Sequence, residues 1–207
     1  MTSKLVAGLL AILMLLSGCL SLKQAEQPVE YYTLEYDPPE SRENSTLPFI
    51  IKFEPFSTSP VYDSNKISYK EQKFKRREYA YHKWQAVPGE LVTAFLARDF
   101  SRSSLFQAVI LSEPVPNYSH LLSGQVEEFY QQSEHSPWEA VLSIHITLSN
   151  MMPYDIQNPT LFQKRYSCRK RCAQETPESF VEAMSRAMKQ VSAEVIQDVY
   201  AKLSARK

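Results

Sequence analysis

Glycine is nearly absent from this chain: four residues in 207, against thirteen prolines. That scarcity excludes the glycine-rich loops that cradle phosphates, and neither G-x-G-x-x-G nor a Walker-type motif occurs. A surplus of charge is missing too. Lys plus Arg number 23 and Asp plus Glu number 23, so no global field draws the chain to nucleic acid or to an anionic membrane surface. Histidine is sparse. His82, His120, His135 and His145 stand at no metal-ligand spacing from a Cys, Asp or Glu, and are expected as surface or strand residues. No G-x-S-x-G elbow occurs, because Ser17-Gly18 belongs to the N-terminal segment described below. Glu127 and Glu128 are neighbours on an expected strand, which would point them to opposite faces rather than pair them. Nothing local therefore suggests catalysis, a cofactor or a metal, although a site assembled from distant segments is not excluded by pattern alone.

Long apolar runs are also scarce. The chain has one, Leu5 to Leu16, preceded by Lys4 and closed by Leu16-Ser17-Gly18-Cys19. A charged start, an apolar middle and small residues before the cut form a secretory signal. The cysteine at the cut is similar to a bacterial lipobox: the Cys19 thiol is acylated, cleavage follows before it, and the new amine is acylated in turn. The competing reading is a transmembrane anchor. Twelve apolar residues at ~1.5 Å each rise about 18 Å, short of a hydrocarbon core of about 30 Å. Two or three acyl chains, at about 0.8 kcal/mol per buried CH₂, hold a protein on a bilayer without a span. Leu20 rather than Asp follows the cysteine, which by analogy with lipoprotein sorting favours the outer membrane over the inner one.

Export would leave the remaining cysteines, Cys168 and Cys172 in C-R-K-R-C, in an oxidising compartment. A small local disulfide is the expectation, adding about 2 kcal/mol if unstrained. A metal or redox site is the alternative, against which stand the C-x₃-C spacing and the lack of a nearby histidine.

Residues 1–18 are thus a signal, 19–29 a lipidated N-terminus and polar tether, and 30–207 one domain. Strands are expected at Tyr31–Tyr36, Phe49–Phe53, around Ile67–Tyr69, and around Tyr79–Trp84. Pro88 opens a helix with Leu91, Val92, Phe95, Leu96 and Phe100 on one face. Strands follow at Phe106–Leu111 and Tyr118–Gln131. The clearest strand alternation is Ala140, Leu142, Ile144, Ile146 and Leu148 against Val141, Ser143, His145 and Thr147. A last strand, Leu161–Tyr166, leads to the cysteines. Thr176-Pro177-Glu178 then starts a long helix with Phe180, Met184, Ala187, Val191, Val195, Val199 and Leu203 at helical spacing. The order predicts an α+β domain: an antiparallel or mixed sheet with two amphipathic helices on one face.

Aromatics are plentiful, with 12 Tyr, 10 Phe and 2 Trp. Most must be core. Tyr69, Tyr79, Tyr81 and Trp84, however, surround the basic run Lys73, Lys75, Arg76, Arg77. Aromatic residues beside arginine anchor protein interfaces, so this cluster is a candidate partner surface. A charged strand edge that discourages aggregation is the competing reading.

These marks, taken in order, resemble a known family. The lipobox at Cys19, Tyr31-Tyr32-Thr33-Leu34, Ile51 to Phe56 ending in Glu-Pro-Phe, and Ile67-Ser68-Tyr69 come first. Tyr79 and Trp84, Pro88 before a Leu/Phe-rich helix, Phe106–Val109, Tyr118–Phe129 and the C-terminal helix follow. Together they are similar to the ABC-type transport auxiliary lipoproteins, the PqiC-type outer-membrane lipoproteins that accompany MCE-domain proteins. The C-R-K-R-C run lies outside that pattern. The resemblance implies a non-enzymatic accessory to an ABC permease, an ATPase and an MCE protein that moves lipids or other hydrophobic molecules between membranes. It implies docking of the MCE assembly on the periplasmic side of the outer membrane, with a homo-oligomer as a possibility. Two alternatives differ in class: a lipoprotein that itself carries lipid between sheet and helices, and a structural outer-membrane lipoprotein.

Overall fold

The structure, a computed structural model, describes residues 27–41, 43–111, 117–152 and 159–205. The signal, Cys19 and the tether as far as residue 26 lie outside the described residues. In chain order the elements are β1 (Glu30–Tyr32), β2 (Leu47–Phe53), β3 (Ser57–Thr58), β4 (Lys66–Gln72), β5 (Lys75–Trp84) and α1 (Pro88–Ser103). Then come β6 (Phe106–Leu111), β7 (His120–Gln132), β8 (Glu139–Asn150), β9 (Thr160–Arg171) and α2 (Pro177–Ser204).

The long strand β7 is the spine of a nine-stranded mixed sheet. One of its edges pairs antiparallel with β8, which pairs antiparallel with β9. Its other edge takes three short partners in succession, all parallel: β2 opposite His120–Leu122, β3 opposite Gln125–Val126 and β4 opposite Gln131–Gln132. Beyond β2 lies β6, parallel to it. Beyond β4 lies β5, antiparallel, and then the edge strand β1, parallel to β5.

Both helices share one core with the sheet. On α2, Phe180, Met184, Ala187, Val191, Val195, Val199 and Leu203 are fully buried, the residues whose helical spacing predicts that face. The Thr176 side chain caps α2 by accepting from the Ser179 amide at 3.2 Å, and Pro177 takes the first turn, where its missing N–H costs little. Leu91, Val92, Leu96 and Phe100 of α1 meet Phe53 and Phe106, with the Phe53 and Phe100 rings edge-to-face at 5.1 Å. From β8, Ala140, Leu142, Ile144, Ile146 and Leu148 complete the core at 0 % exposure.

Two of the four glycines are needed for close approach. A Cβ on Gly89 would collide with the Phe56 carbonyl oxygen and lie 2.7 Å from Thr58 Oγ1, which accepts from the Gly89 amide at 2.9 Å. A Cβ on Gly124 would lie 2.6 Å from the His145 carbonyl oxygen and 2.7 Å from the Phe56 ring. Both contacts seat the β2–β3 connection between α1 and β7. The other two glycines, Gly8 and Gly18, fall in the expected signal, outside the described residues.

The first strand is shorter than expected. After Tyr32 the chain leaves the sheet and is strapped across the helices. The Glu35 amide donates to Ser185 Oγ at 3.0 Å, and the Tyr36 hydroxyl donates at 2.8 Å to the fully buried Asp99, which Arg98 also binds at 2.7 Å. Burial, then the Asp99 charge, pushes the Tyr36 phenol well up.

The expected bridge between Cys168 and Cys172 is not formed. Both are buried free thiols. Leu161–Tyr166 continues as β9 as far as Arg171, and the Cys172 amide still donates to the Trp138 carbonyl at 2.8 Å, so the whole run is extended. Four residues of strand separate two Cα atoms by about 13 Å, roughly twice what a disulfide spans. Cys168 Sγ instead lies 3.4 Å from Gln190 Oε1 on α2. Burial pushes both thiols up, Cys172 to about 11.

Candidate functional site

The aromatic and basic cluster of β4 and β5 is partly assembled as expected. Tyr69 and Tyr79 sit side by side on the paired strands with ring centroids 4.7 Å apart, each half-buried. The Tyr79 hydroxyl donates to Gln131 Oε1 at 3.3 Å. Tyr81 is 45 % exposed. Trp84 is not part of the surface. It is 1 % exposed, packed edge-on to Phe129 at 5.1 Å and against Phe180 of α2 at 5.9 Å. Between Lys66↔Lys83 and Ser68↔Glu78, β5 advances five positions against two on β4, and through that irregularity Trp84, an odd number of positions from Tyr79, packs with it on the core side.

Ahead of that shift, Arg76 faces away from the helices. Its guanidinium lies 5.7 Å from the Tyr62 ring and 5.3 Å from the Tyr130 ring, which stack at 5.8 Å, and its Nε donates to the Tyr62 hydroxyl at 3.0 Å. With Val141 these tyrosines form a small second core on the reverse face of the sheet. That face is therefore less wet than the alternation on β8 predicts. Beside it, the expectation for Glu127 and Glu128 is also corrected. A shift in register between Val126 and Glu128 turns both carboxylates toward Arg165, at 2.6 and 3.5 Å, so one cation is shared between them.

One cluster was not legible in the sequence, because its members lie far apart along the chain. The Tyr32 hydroxyl is 2.6 Å from Glu30 Oε2, 3.0 Å from Glu178 Oε1 and 3.0 Å from His82 Nδ1. His82 Nδ1 is also 3.1 Å from Glu30. So His82, expected to be alone, meets two carboxylates where β1, β5 and the first turn of α2 converge. Their ligand atoms fall within 4.8 Å of one another, and these three residues could contact a cation. The positive end of the α2 dipole opposes one there. As it stands the cluster clasps the edge strand to the helix. Burial, then the bonds to Glu30 and Glu178, push the Tyr32 phenol up. The Glu178 carboxyl is held low, first by its own backbone amide at the helix start, with Thr176 and Tyr32 assisting.

The described cavities are modest. One of about 220 Å³ lies between residues 39–41, Glu43, Leu105 and Ile196. Another of about 510 Å³ opens at the far end of the sheet beside Tyr118, Met151 and Met152.

Residues 32–196 match the family model of the ABC-type transport auxiliary lipoprotein component. The chain belongs to this family. The auxiliary lipoprotein fold is seen in solved structures as well. A protein from Xanthomonas campestris superposes with a TM-score of 0.74 at 13 % identity, over 86 % of this chain and 100 % of that one. An uncharacterised protein gives 0.67 at 13 % identity, over 84 % and 99 %. A hypothetical protein from Chlamydia trachomatis gives 0.50 at 10 % identity, over 77 % and 99 %. At such identities the likeness is one of fold. No curated protein matches the chain. Membership makes this chain an auxiliary lipoprotein component of ABC-type transport. Among the described residues, no helix is long and apolar enough to cross a membrane. Several residues that carry the family resemblance, including Leu34, Ile51, Phe56, Ile67, Trp84 and Phe129, prove to be core, so they specify packing rather than chemistry.

Proposed function

We propose that this auxiliary lipoprotein is a non-enzymatic docking accessory, held by acylated Cys19 on the periplasmic face of the outer membrane. There it receives an MCE-domain protein whose ABC permease and ATPase move lipids or other hydrophobic molecules between the membranes. The observation that carries this is the conjunction of the family match over residues 32–196 with a signal that ends in a lipobox cysteine. Leu20 after that cysteine supports the outer membrane. The packing supports docking over carriage. Between sheet and helices the space is filled by side chains at or near zero exposure; the cavity of about 220 Å³ falls below the usual ligand range of about 300–1,000 Å³, and the one of about 510 Å³ opens at the end of the sheet rather than between sheet and helices. With Trp84 withdrawn into the core, the partner surface rests on Tyr81 and on the exposed parts of Tyr69 and Tyr79. Several copies side by side would present that edge as a ring.

A photocrosslinking amino acid in place of Tyr81, in cells, tests this reading. Irradiation is expected to join the chain to an MCE-domain protein. Crosslinks to other envelope proteins alone, with none to an MCE protein, would move the docking surface elsewhere.

A further inference from the structure

The β4–β5 hairpin carries a residue its backbone does not favour. Gln72 pairs with Lys75, so Lys73 and Phe74 alone make the turn, and Phe74 adopts φ 66. A positive φ at the second turn position normally selects Gly or Asn, and a bulky residue there is strained. Phe74 is nonetheless 90 % exposed, the most exposed large apolar side chain among the described residues. Strain kept without burial indicates a role outside the fold.

Its surroundings narrow that role. Residues 70–77, KEQKFKRR, hold five cations and one anion, in a chain whose overall charge is zero. Glu71 is engaged by Arg77 at 3.4 Å, Lys70 by Glu134 at 3.6 Å, and Arg76 turns to Tyr62 on the reverse face. Lys73 and Lys75 are left to rim Phe74, with the Arg77–Glu71 pair beside them. A protein partner draws its anchors from a contact area that closes around them. A single ring that projects from a turn among exposed cations instead fits a bilayer surface, where aromatics sit at the headgroup boundary and Lys and Arg meet anionic lipid.

Chain direction supplies a second, independent argument. β1 is parallel to β5, with Glu30 opposite His82. The polypeptide therefore enters β1 from the end of the sheet where the hairpin turns. From His82 back to Lys75 is about 23 Å of strand. The eleven Cα–Cα steps from Cys19 to Glu30 can span up to about 36 Å. The lipid anchor and the hairpin tip can therefore reach one plane.

We infer that the β4–β5 tip rests on the bilayer that holds Cys19, with Phe74 at the boundary of headgroups and acyl chains and Lys73 and Lys75 on anionic headgroups. This rests on the reading of Cys19 as lipidated. The lipidated full-length protein carrying Phe74→Trp, reconstituted in vesicles of phosphatidylethanolamine and phosphatidylglycerol, tests it. The unsubstituted protein supplies the background of Trp84 and Trp138. The added indole is expected to emit at shorter wavelength than in water, and brominated acyl chains are expected to quench it at least about twofold. Replacing phosphatidylglycerol with phosphatidylcholine is expected to weaken that quenching. A water-like, unquenched indole on protein whose N-terminal peptide has the mass of acylated Cys19 overturns the hairpin contact and leaves the anchor standing. A blue-shifted but unquenched indole means that protein, such as a second copy, covers the tip, and also overturns it. An N-terminal peptide without acyl mass overturns both readings.

Discussion

Gly89 is the tighter of the two described glycines, and the backbone carbonyl of Phe56, which cannot swing aside like a side chain, occupies the place of its Cβ. Gly89→Ala is therefore expected to lower stability by about 1–3 kcal/mol in urea unfolding, although alanine is the better helix former. An unchanged midpoint would mean that the β2–β3 connection does not press on α1. Trp84→Ala is expected to cost about 3–5 kcal/mol, a core truncation, rather than to act on partner binding selectively. The thiols offer a direct check on β9. Two free thiols are expected to react with a disulfide reagent in urea without reductant, and to react slowly in the folded protein, where burial holds Cys172 neutral up to about pH 11. Fewer than two reactive thiols in urea would show a bridge and a different end to that strand. Phe74→Gly is expected to leave stability unchanged or to raise it by up to about 1 kcal/mol, since the gain from relieved strain exceeds or matches the cost in chain entropy.

At the level of elements, the pH dependence of the clasp on β1 follows from two opposite shifts. Glu178 is held below its ordinary value of 4.5, so its contribution is present above that pH and is lost as pH falls further. Tyr32 is raised above its ordinary 10.0, so its contribution is present below that value and is lost in strong alkali. Hydrogen exchange at the Gln85 amide, which donates to the Tyr32 carbonyl at 2.8 Å, is expected to gain protection between pH 3 and pH 6 beyond the intrinsic trend, and Tyr32→Phe is expected to abolish the gain. Equal protection in both proteins would remove the clasp. The two helices and β8 were legible because their patterns repeat many times and each sits on a uniform environment. The two-residue β3 is too short to show a period. The β4–β5 turn hid behind Lys73-Phe74, which has neither the Gly nor the Asn that announces a hairpin. Trp84 lies in the core because Phe129 and Phe180 meet it there, partners that only tertiary structure supplies, and no residue type in Ala80–Lys83 marks the irregularity before it. The clasp joins positions 30, 82 and 178, which only tertiary structure brings together.

As a whole, the molecule is a filled α+β domain whose distinctive groups lie on its outside. The core residues account for the family likeness. On the reading proposed above, function rests on the outside: a lipobox cysteine ahead of a short tether, a basic hairpin at the end of the sheet from which that tether arrives, and tyrosines on β5 beside the edge strand. Membership in the auxiliary lipoproteins was legible because aromatic and apolar marks recur in order along the whole chain. The surface that meets a partner was not, since exposed residues obey no packing period. The central claim is that this lipoprotein serves an MCE-linked ABC transporter. The most direct measurement is a gentle-detergent pull-down of the lipidated protein from its native envelope, read by mass spectrometry, beside a Cys19→Ala control. The account predicts that an MCE-domain protein and its permease and ATPase copurify with the lipidated form and are lost with the control. Bound lipid without any MCE or ABC subunit would contradict it and make the chain a carrier in its own right.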